Sequence, residues 1–259
     1  MGCLTMLNII SLGAGVQSST MALMVKHHEL PMVDAAIFAD TGWEGKRTYD
    51  FLSFLEKELP FPVYRVSAGN LRDKLSTGWI PAYTEGGGML HRVCTDRFKV
   101  RPLVKQVRKL CGIKKGERVK GKVVSMWIGI SLDEIIRVKP NQVQWIENKW
   151  PLINDVPMTR AGCLNWLKKK GYPLPPKSSC IGCPYHSDEA WRDLKLNHQD
   201  EWKDAVEADR LIRDSVESAT KRLYLHGSRT PLDEVDFRNL EDMGQLNMFN
   251  NECEGHCGV

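Results

Sequence analysis

The sequence contains no apolar run approaching the roughly 20 residues needed to cross a bilayer. Its start also lacks the basic-then-apolar pattern, with a small-residue cleavage site, that marks an export signal. A spanning helix is thereby excluded and a cytoplasmic protein, with no membrane partner, is expected. Internal repeats, low-complexity tracts and long linkers are missing too, so solenoids are excluded and domain boundaries must be read from the alternation of elements. Neither sign of charge dominates: the formal net charge is +4, which suits an anionic nucleotide as well as a nucleic acid. In a reducing compartment the eight cysteines do not read as a disulfide framework, so their clustering has to be explained by ligation, catalysis or burial.

What is present is an ordinary globular composition, 42% hydrophobic and 26% charged over 259 residues, enough for one main domain and an appendage. Apolar runs at Leu7 to Ser11, Ala35 to Ala39, Val63 to Val66 and Val123 to Ile130 read as strands. Helical periodicity follows the first two, over Ser18 to Leu30 and through Tyr49, Leu52, Phe54, Leu55 and Leu59. Strands alternating with helices at this spacing imply right-handed βαβ crossovers, hence an α/β fold: a parallel twisted sheet with helices on both faces. After Pro151 the pattern changes to helices and loops, with helices expected over Thr159 to Lys170, Ser187 to Asn197 and Glu201 to Arg222. We therefore expect a nucleotide-binding α/β core over residues 1–150 and a helical, Cys-rich region with a tail over 151–259.

Three strand ends carry polar signatures. The first βα junction reads Ser11-Leu12-Gly13-Ala14-Gly15-Val16-Gln17-Ser18-Ser19. Glycines there let the backbone approach an anion, and serine hydroxyls with the free N–H groups of a helix start can bind it. A plain strand-to-helix turn is the alternative. The segment has neither the Gly-Lys-Ser/Thr of a Walker A loop nor the glycine spacing of a dinucleotide fingerprint. The second junction, Asp40-Thr41-Gly42, places a carboxylate and a hydroxyl at the next strand end. The third, Gly129 to Glu134 with Arg137, adds a cation, while Asp133 and Glu134 could hold a metal bridging a triphosphate. The basic stretch Lys114, Lys115, Arg118, Lys120 and Lys122 could meet phosphates or form a solvated loop.

The cysteines form a second pattern. Cys180-Ile181-Gly182-Cys183, with Cys94 remote in sequence, has the spacing of a metal site. Reduced cysteines packed as small hydrophobes are the alternative. At the end of the chain, Glu252-Cys253-Glu254-Gly255-His256-Cys257 puts a thiol near an imidazole; a cation lowers a thiol's pKa and makes it a nucleophile. Cys253 and Cys257 could equally be a redox pair or metal ligands. Cys3, Cys111 and the tryptophans are expected to be structural or incidental.

Taken in order, these motifs resemble the PP-loop superfamily, and within it the phosphoadenylyl-sulfate (PAPS) reductase family. The resemblance covers roughly residues 7 to 185 and the tail. It implies an adenine-nucleotide-alpha-hydrolase-like fold and an enzyme of sulfur chemistry, either reducing a sulfonucleotide or transferring sulfur at the expense of ATP. It further implies nucleotide binding by Ser11, Gly13, Gly15, Gln17, Ser18, Ser19, Asp40, Thr41, Gly42, Gly129 and Arg137, and catalysis by Cys253 with His256. A four-iron cluster on Cys94, Cys180 and Cys183 is implied as well, with Cys163 or a C-terminal cysteine as fourth ligand. The substrate would be PAPS, or ATP with Mg2+. The second partner would be a thiol reductant such as thioredoxin, or a nucleic acid (tRNA or DNA) to be thiolated; a non-catalytic nucleotide-binding protein and a homodimer stay open. Gln17 and Glu252-Cys253 lean toward reduction, whereas Asp133-Glu134, the single cysteine at Val93-Cys94 and the basic stretch from Lys114 to Lys122 lean toward thiolation.

Overall fold

A computed structural model of the protein describes residues 6–114, 116–215, 221–238 and 242. In chain order its elements are β1 (Leu7–Leu12), α1 (Val16–Lys26), β2 (Ala35–Asp40), α2 (Lys46–Glu58), β3 (Val63–Ser67), β4 (Tyr83–Thr84), α3 (Arg101–Leu110), β5 (Val124–Ile128), β6 (Ile146–Lys149), α4 (Pro151–Asn154), α5 (Arg160–Lys169), α6 (Asp188–Asn197), α7 (Gln199–Ser215) and β7 (Leu223–Tyr224). They divide into two compact units, each discontinuous in sequence. The first comprises the described residues up to Ala68 together with Arg97–Ser178, and the second Gly69–Asp96 together with the described residues from Ser179 onward.

The first unit is the expected parallel α/β sheet, with strand order β3-β2-β1-β5-β6. Side chains on a strand alternate between faces, and the central strand separates two cores accordingly. Ile10 and Leu12 of β1 join Ala36, Phe38 and Trp127 on one side, covered by α1, α2 and α5. Ile9 joins Ile37, Val124, Met126 and Ile146 on the other, covered by Val107 of α3. Burial of such a Leu or Ile side chain contributes about 1.5–3 kcal/mol, so both layers of helix are anchored by the same five strands. α1 is buried from Ser18 to Val25 because α5 covers its outer side through Cys163 and Leu167. Residues 151–178 thus pack on the sheet, as expected of the helical region after Pro151, and belong to the same compact unit.

Further differences are local. α1 stops at Lys26 instead of Leu30, since His28 adopts a left-handed backbone (φ 57°) that no helix continues through. The segment before α3 is a π-helical turn over Thr95–Val100. β6 was not legible: Ile-Glu-Asn-Lys is a short edge strand with one buried residue, Ile146. In the second unit, α6 and α7 pack through the buried Trp191, Leu194, Trp202 and Ala205. Asp209, fully buried on α7, accepts from the backbone N–H groups of Leu225 (2.8 Å) and Leu232 (3.1 Å) and pins the following segment to the helix.

The end of α1 is tied to α5 by a polar-aromatic cluster. His27 Nε2 lies 2.9 Å from the Tyr172 hydroxyl and its ring packs edge-on to Trp166 and Tyr172, while Glu29 accepts from Trp166 Nε1 at 2.7 Å. Burial, then the charge of Lys170, lowers the His27 pKa below its ordinary value near 6.5. The folded state therefore prefers neutral His27, and the unfolded chain takes up the proton first as pH falls. Stability from this group is fully present above pH about 6.5 and declines as pH drops through that value toward the folded pKa. We expect His27→Gln, which keeps a polar partner for Tyr172, to lose less Tm between pH 7.5 and 5.5 than the wild type. Parallel Tm–pH curves would show that His27 is not a source of acid sensitivity.

Candidate anion-binding site at the carboxyl ends of the sheet

The chain runs outward from β1 to β2 and β3, then crosses back to β5 on the opposite side of β1. Between β1 and β5 the strand order reverses, and open α/β sheets bind ligands in the crevice such a reversal creates at the strands' carboxyl ends. The β1–α1 loop and Gly129 occupy that position. The fit between them is close: a Cβ added at Gly129 would lie 2.6 Å from the backbone N of Ser18 and 2.7 Å from its Cα. No side chain can be placed there, so the end of β5 lies directly against the first turn of α1.

The loop is closed by Ser18, whose hydroxyl accepts from Gly13 N–H (3.1 Å) and donates to Gly15 C=O (3.4 Å). Ala14 is held in a left-handed conformation (φ 54°), uncommon for a residue with a Cβ. Ser178 stands over the loop, its hydroxyl 2.6 Å from where a Gly15 Cβ would be. Ser11 is half-buried in β1, opposite Ile37 and Ile128. Ser19 is fully buried, and its hydroxyl has no hydrogen-bond partner.

One side chain of the first turn reaches the third junction. Gln17 Nε2 donates to Ser131 Oγ (3.4 Å) and Glu134 Oε2 (3.0 Å), and Glu134 Oε1 accepts from Arg137 Nη1 at 2.6 Å. Gln17 and Arg137 thus converge on one carboxylate. Asp133 is engaged elsewhere, accepting from the Arg160 backbone N–H at the start of α5 with both oxygens (3.1 Å each).

The second junction is a self-contained turn. Asp40 Oδ1 accepts from Gly42 N–H and from the Tyr49 hydroxyl, each at 2.7 Å. Gly42 has φ 70°, which favours glycine. Burial, then the Asp40 hydrogen bond, drives the Tyr49 pKa upward, so Tyr49 stays a donor. Thr41, almost fully buried, donates to Glu44 Oε1 (3.1 Å), and Lys99 Nζ lies 3.5 Å from that carboxylate. Glu44, Lys99, Ser131, Tyr49 and Ser178 were not singled out as site residues from the sequence. Their roles depend on long-range proximity, and isolated Glu, Lys or Ser residues carry no local signal.

The expected cluster ligands are distributed differently. Cys94, Cys180 and Cys183 all belong to the second unit. There Cys183 N–H bonds Cys180 C=O at 3.0 Å and His186 Nε2 lies 3.0 Å from the same carbonyl, a tight turn beneath the buried Trp191. Cys163 is fully buried in the core of the first unit, where burial pushes its thiol pKa up to about 12. Among the described residues no three His, Cys, Asp or Glu side chains form a metal-binding group, and none of the five described cysteines is in a disulfide. Nor does a metal group form around Asp133 and Glu134. Cys3, Cys253, His256 and Cys257 lie outside the described residues, as does Lys115.

No family model matches the chain. It is 30% identical over 98 residues to an uncharacterized 37.8 kDa protein in the gpa 5′ region of Escherichia phage 186, a match covering 36% of this chain and 28% of that protein. Among solved structures it is similar to a phosphoadenylyl-sulfate (PAPS) reductase from Candida auris in a phosphate complex. That similarity has a TM-score of 0.44 and 15% identity, over 65% of this chain and 74% of the other. Among the described residues, no helix is long and apolar enough to cross a membrane.

The glycine geometry ranks three substitutions. Gly129→Ala drives a Cβ into backbone and should cost about 1–3 kcal/mol. Gly15→Ala meets a movable hydroxyl, and Gly13→Ala meets nothing closer than Ser18 Oγ at 3.7 Å. Urea denaturation should give that order of loss; equal stability of the Gly129 and Gly13 variants would contradict the packing described.

Proposed function

We propose that this chain is a nucleotide-handling enzyme that holds the phosphate or phosphosulfate group of an adenine nucleotide in the loop from Ser11 to Ser18. The observation that carries this reading is the absence of room for any Cβ at Gly129, which brings β5 against the amide end of α1 at the sheet's reversal point. Helix starts bear partial positive charge and free N–H groups, so an anion is the complementary ligand. Arg137 and Gln17 supply further donors once an anion competes with Glu134 for them. Specificity for adenine rests on the motif resemblance of the three junctions.

The chemistry we propose on the bound nucleotide concerns sulfur. In this reading the Cys253 thiolate attacks the sulfonyl sulfur of PAPS, the S–O bond to the nucleotide breaks, and adenosine 3′,5′-bisphosphate departs. A dithiol such as thioredoxin then supplies two electrons to the Cys–S–sulfonate, releasing sulfite and forming a disulfide. His256 would favour the thiolate. ATP-dependent thiolation is the second reading, favoured by the carboxylate of Glu134 beside the loop, where a bare phosphosulfate would be repelled.

Calorimetry separates these steps. Both ATP and PAPS should be tested; the one bound should bind about tenfold more weakly to Ser18→Ala, because that variant removes the hydroxyl closing the loop. Cys253→Ser should bind PAPS normally yet release no sulfite with thioredoxin. If neither nucleotide binds at millimolar concentration, the proposal fails. If ATP alone binds, with Mg2+, thiolation replaces reduction.

A further inference from the structure

Charge is distributed unevenly along this chain. Between Arg97 and Lys122 there are eleven Lys and Arg residues and one acid, Glu117; the stretch carries +10 and the rest of the sequence −6. The fold displays these cations on the first unit. α3 turns Pro102 and Val107, with Leu103, Val104 and Leu110 partly buried, toward the sheet, and exposes Arg101, Lys105 and Lys109 at four-residue intervals. Side chains four apart are neighbours on a helix surface, and eight residues of helix extend about 12 Å. The chain then continues through the exposed Lys114, Arg118, Lys120 and Lys122. Arg108 lies across Trp145 (5.8 Å) and donates to the carbonyls of Lys114 and Glu117, joining this loop to the end of the helix. The single acid helps shape the loop, since Glu117 Oε2 accepts from Lys114 N–H at 2.8 Å.

A helix face that is merely solvated gains from alternating signs, because like charges four residues apart repel. No acid interrupts the sequence from Arg101 to Lys109, and Lys105 and Lys109, four residues apart, add like-charge repulsion that a polyanion would relieve. An anionic membrane is the poorer match: membrane-surface helices bury an apolar face in the lipid, and α3 has committed its apolar face to the sheet. The stripe also begins near the sheet's carboxyl edge, where Lys99 sits 3.5 Å from Glu44 in the loop beyond β2. We infer that α3 and the loop to Lys122 bind the phosphodiester backbone of a nucleic acid, by charge and without reading bases. The inference does not depend on the nucleotide proposal.

The test is fluorescence anisotropy of the full chain with labelled 20-nucleotide single-stranded DNA, duplex DNA and hairpin RNA, from 50 to 200 mM salt with no nucleotide added. Binding should weaken steeply with salt. Lys105→Glu/Lys109→Glu should reduce affinity at least tenfold and lower the log–log salt slope by about 2. Lys168→Glu/Lys169→Glu, the same charge change on exposed α5 positions, should do much less, and circular dichroism melts would confirm that both variants fold. Equal losses from the two double variants would overturn the inference, as would no binding to any nucleic acid at 50 mM salt. Tighter binding to phosphatidylserine vesicles than to nucleic acid would overturn it in favour of a membrane. ATP and PAPS titrations of the same variants report on the nucleotide proposal separately.

Discussion

The contact between Gly129 and the first turn of α1 is the constraint around which the first unit is arranged. β5 pairs with β1 from Leu7↔Val124 through Ser11↔Ile128, so the strand must end directly beside the helix that β1 feeds. A backbone-to-backbone approach of this kind tolerates no Cβ, and the cost of clearing it would fall on the whole loop, since Ser18 closes that loop through Gly13 and Gly15. Everything polar nearby follows from that approach. Gln17 is brought within reach of Ser131 and Glu134, and the donors at the start of α1 are left facing the crevice between two strands.

A second consequence concerns the order in which elements support one another. α1 has almost no solvent face, because the sheet lies beneath it and α5 above. The helix whose start forms the cradle is therefore immobilised along its length, which suits a site that must present N–H groups in a fixed direction. Asp133 couples the loop after β5 to α5 by accepting from the Arg160 N–H group. Cys163 contributes by packing in this α1–α5 seam, and a protonated thiol of that size behaves there as a small hydrophobe.

Charge acts at two scales. At the site two carboxylates each face a cation: Glu134 with Arg137, and Glu44 with Lys99. From Arg97 to Lys122 cations outnumber acids eleven to one, and most of the described ones are exposed. Close pairs set the geometry of a small site, whereas an unbalanced field acts over a Debye length and selects large, highly charged partners.

The sequence by itself determined the sheet and its nucleotide-loop candidates. Apolar runs and βα alternation are local properties, so Leu7–Leu12, Ala35–Asp40, Val63–Ser67 and Val124–Ile128 were all legible, as were the three junctions at their ends. Tertiary structure decided the rest. It showed that Gly129 is required by close approach and not by backbone angle, that Glu134 joins Gln17 to Arg137, that Asp133 serves α5, and that Cys163 is core. It also assigned α5 to the sheet unit and residues 69–96 to the other. The reason is common to all of these: each depends on a contact between residues far apart in the chain, and a linear pattern records what one segment prefers, not which distant segment it will meet.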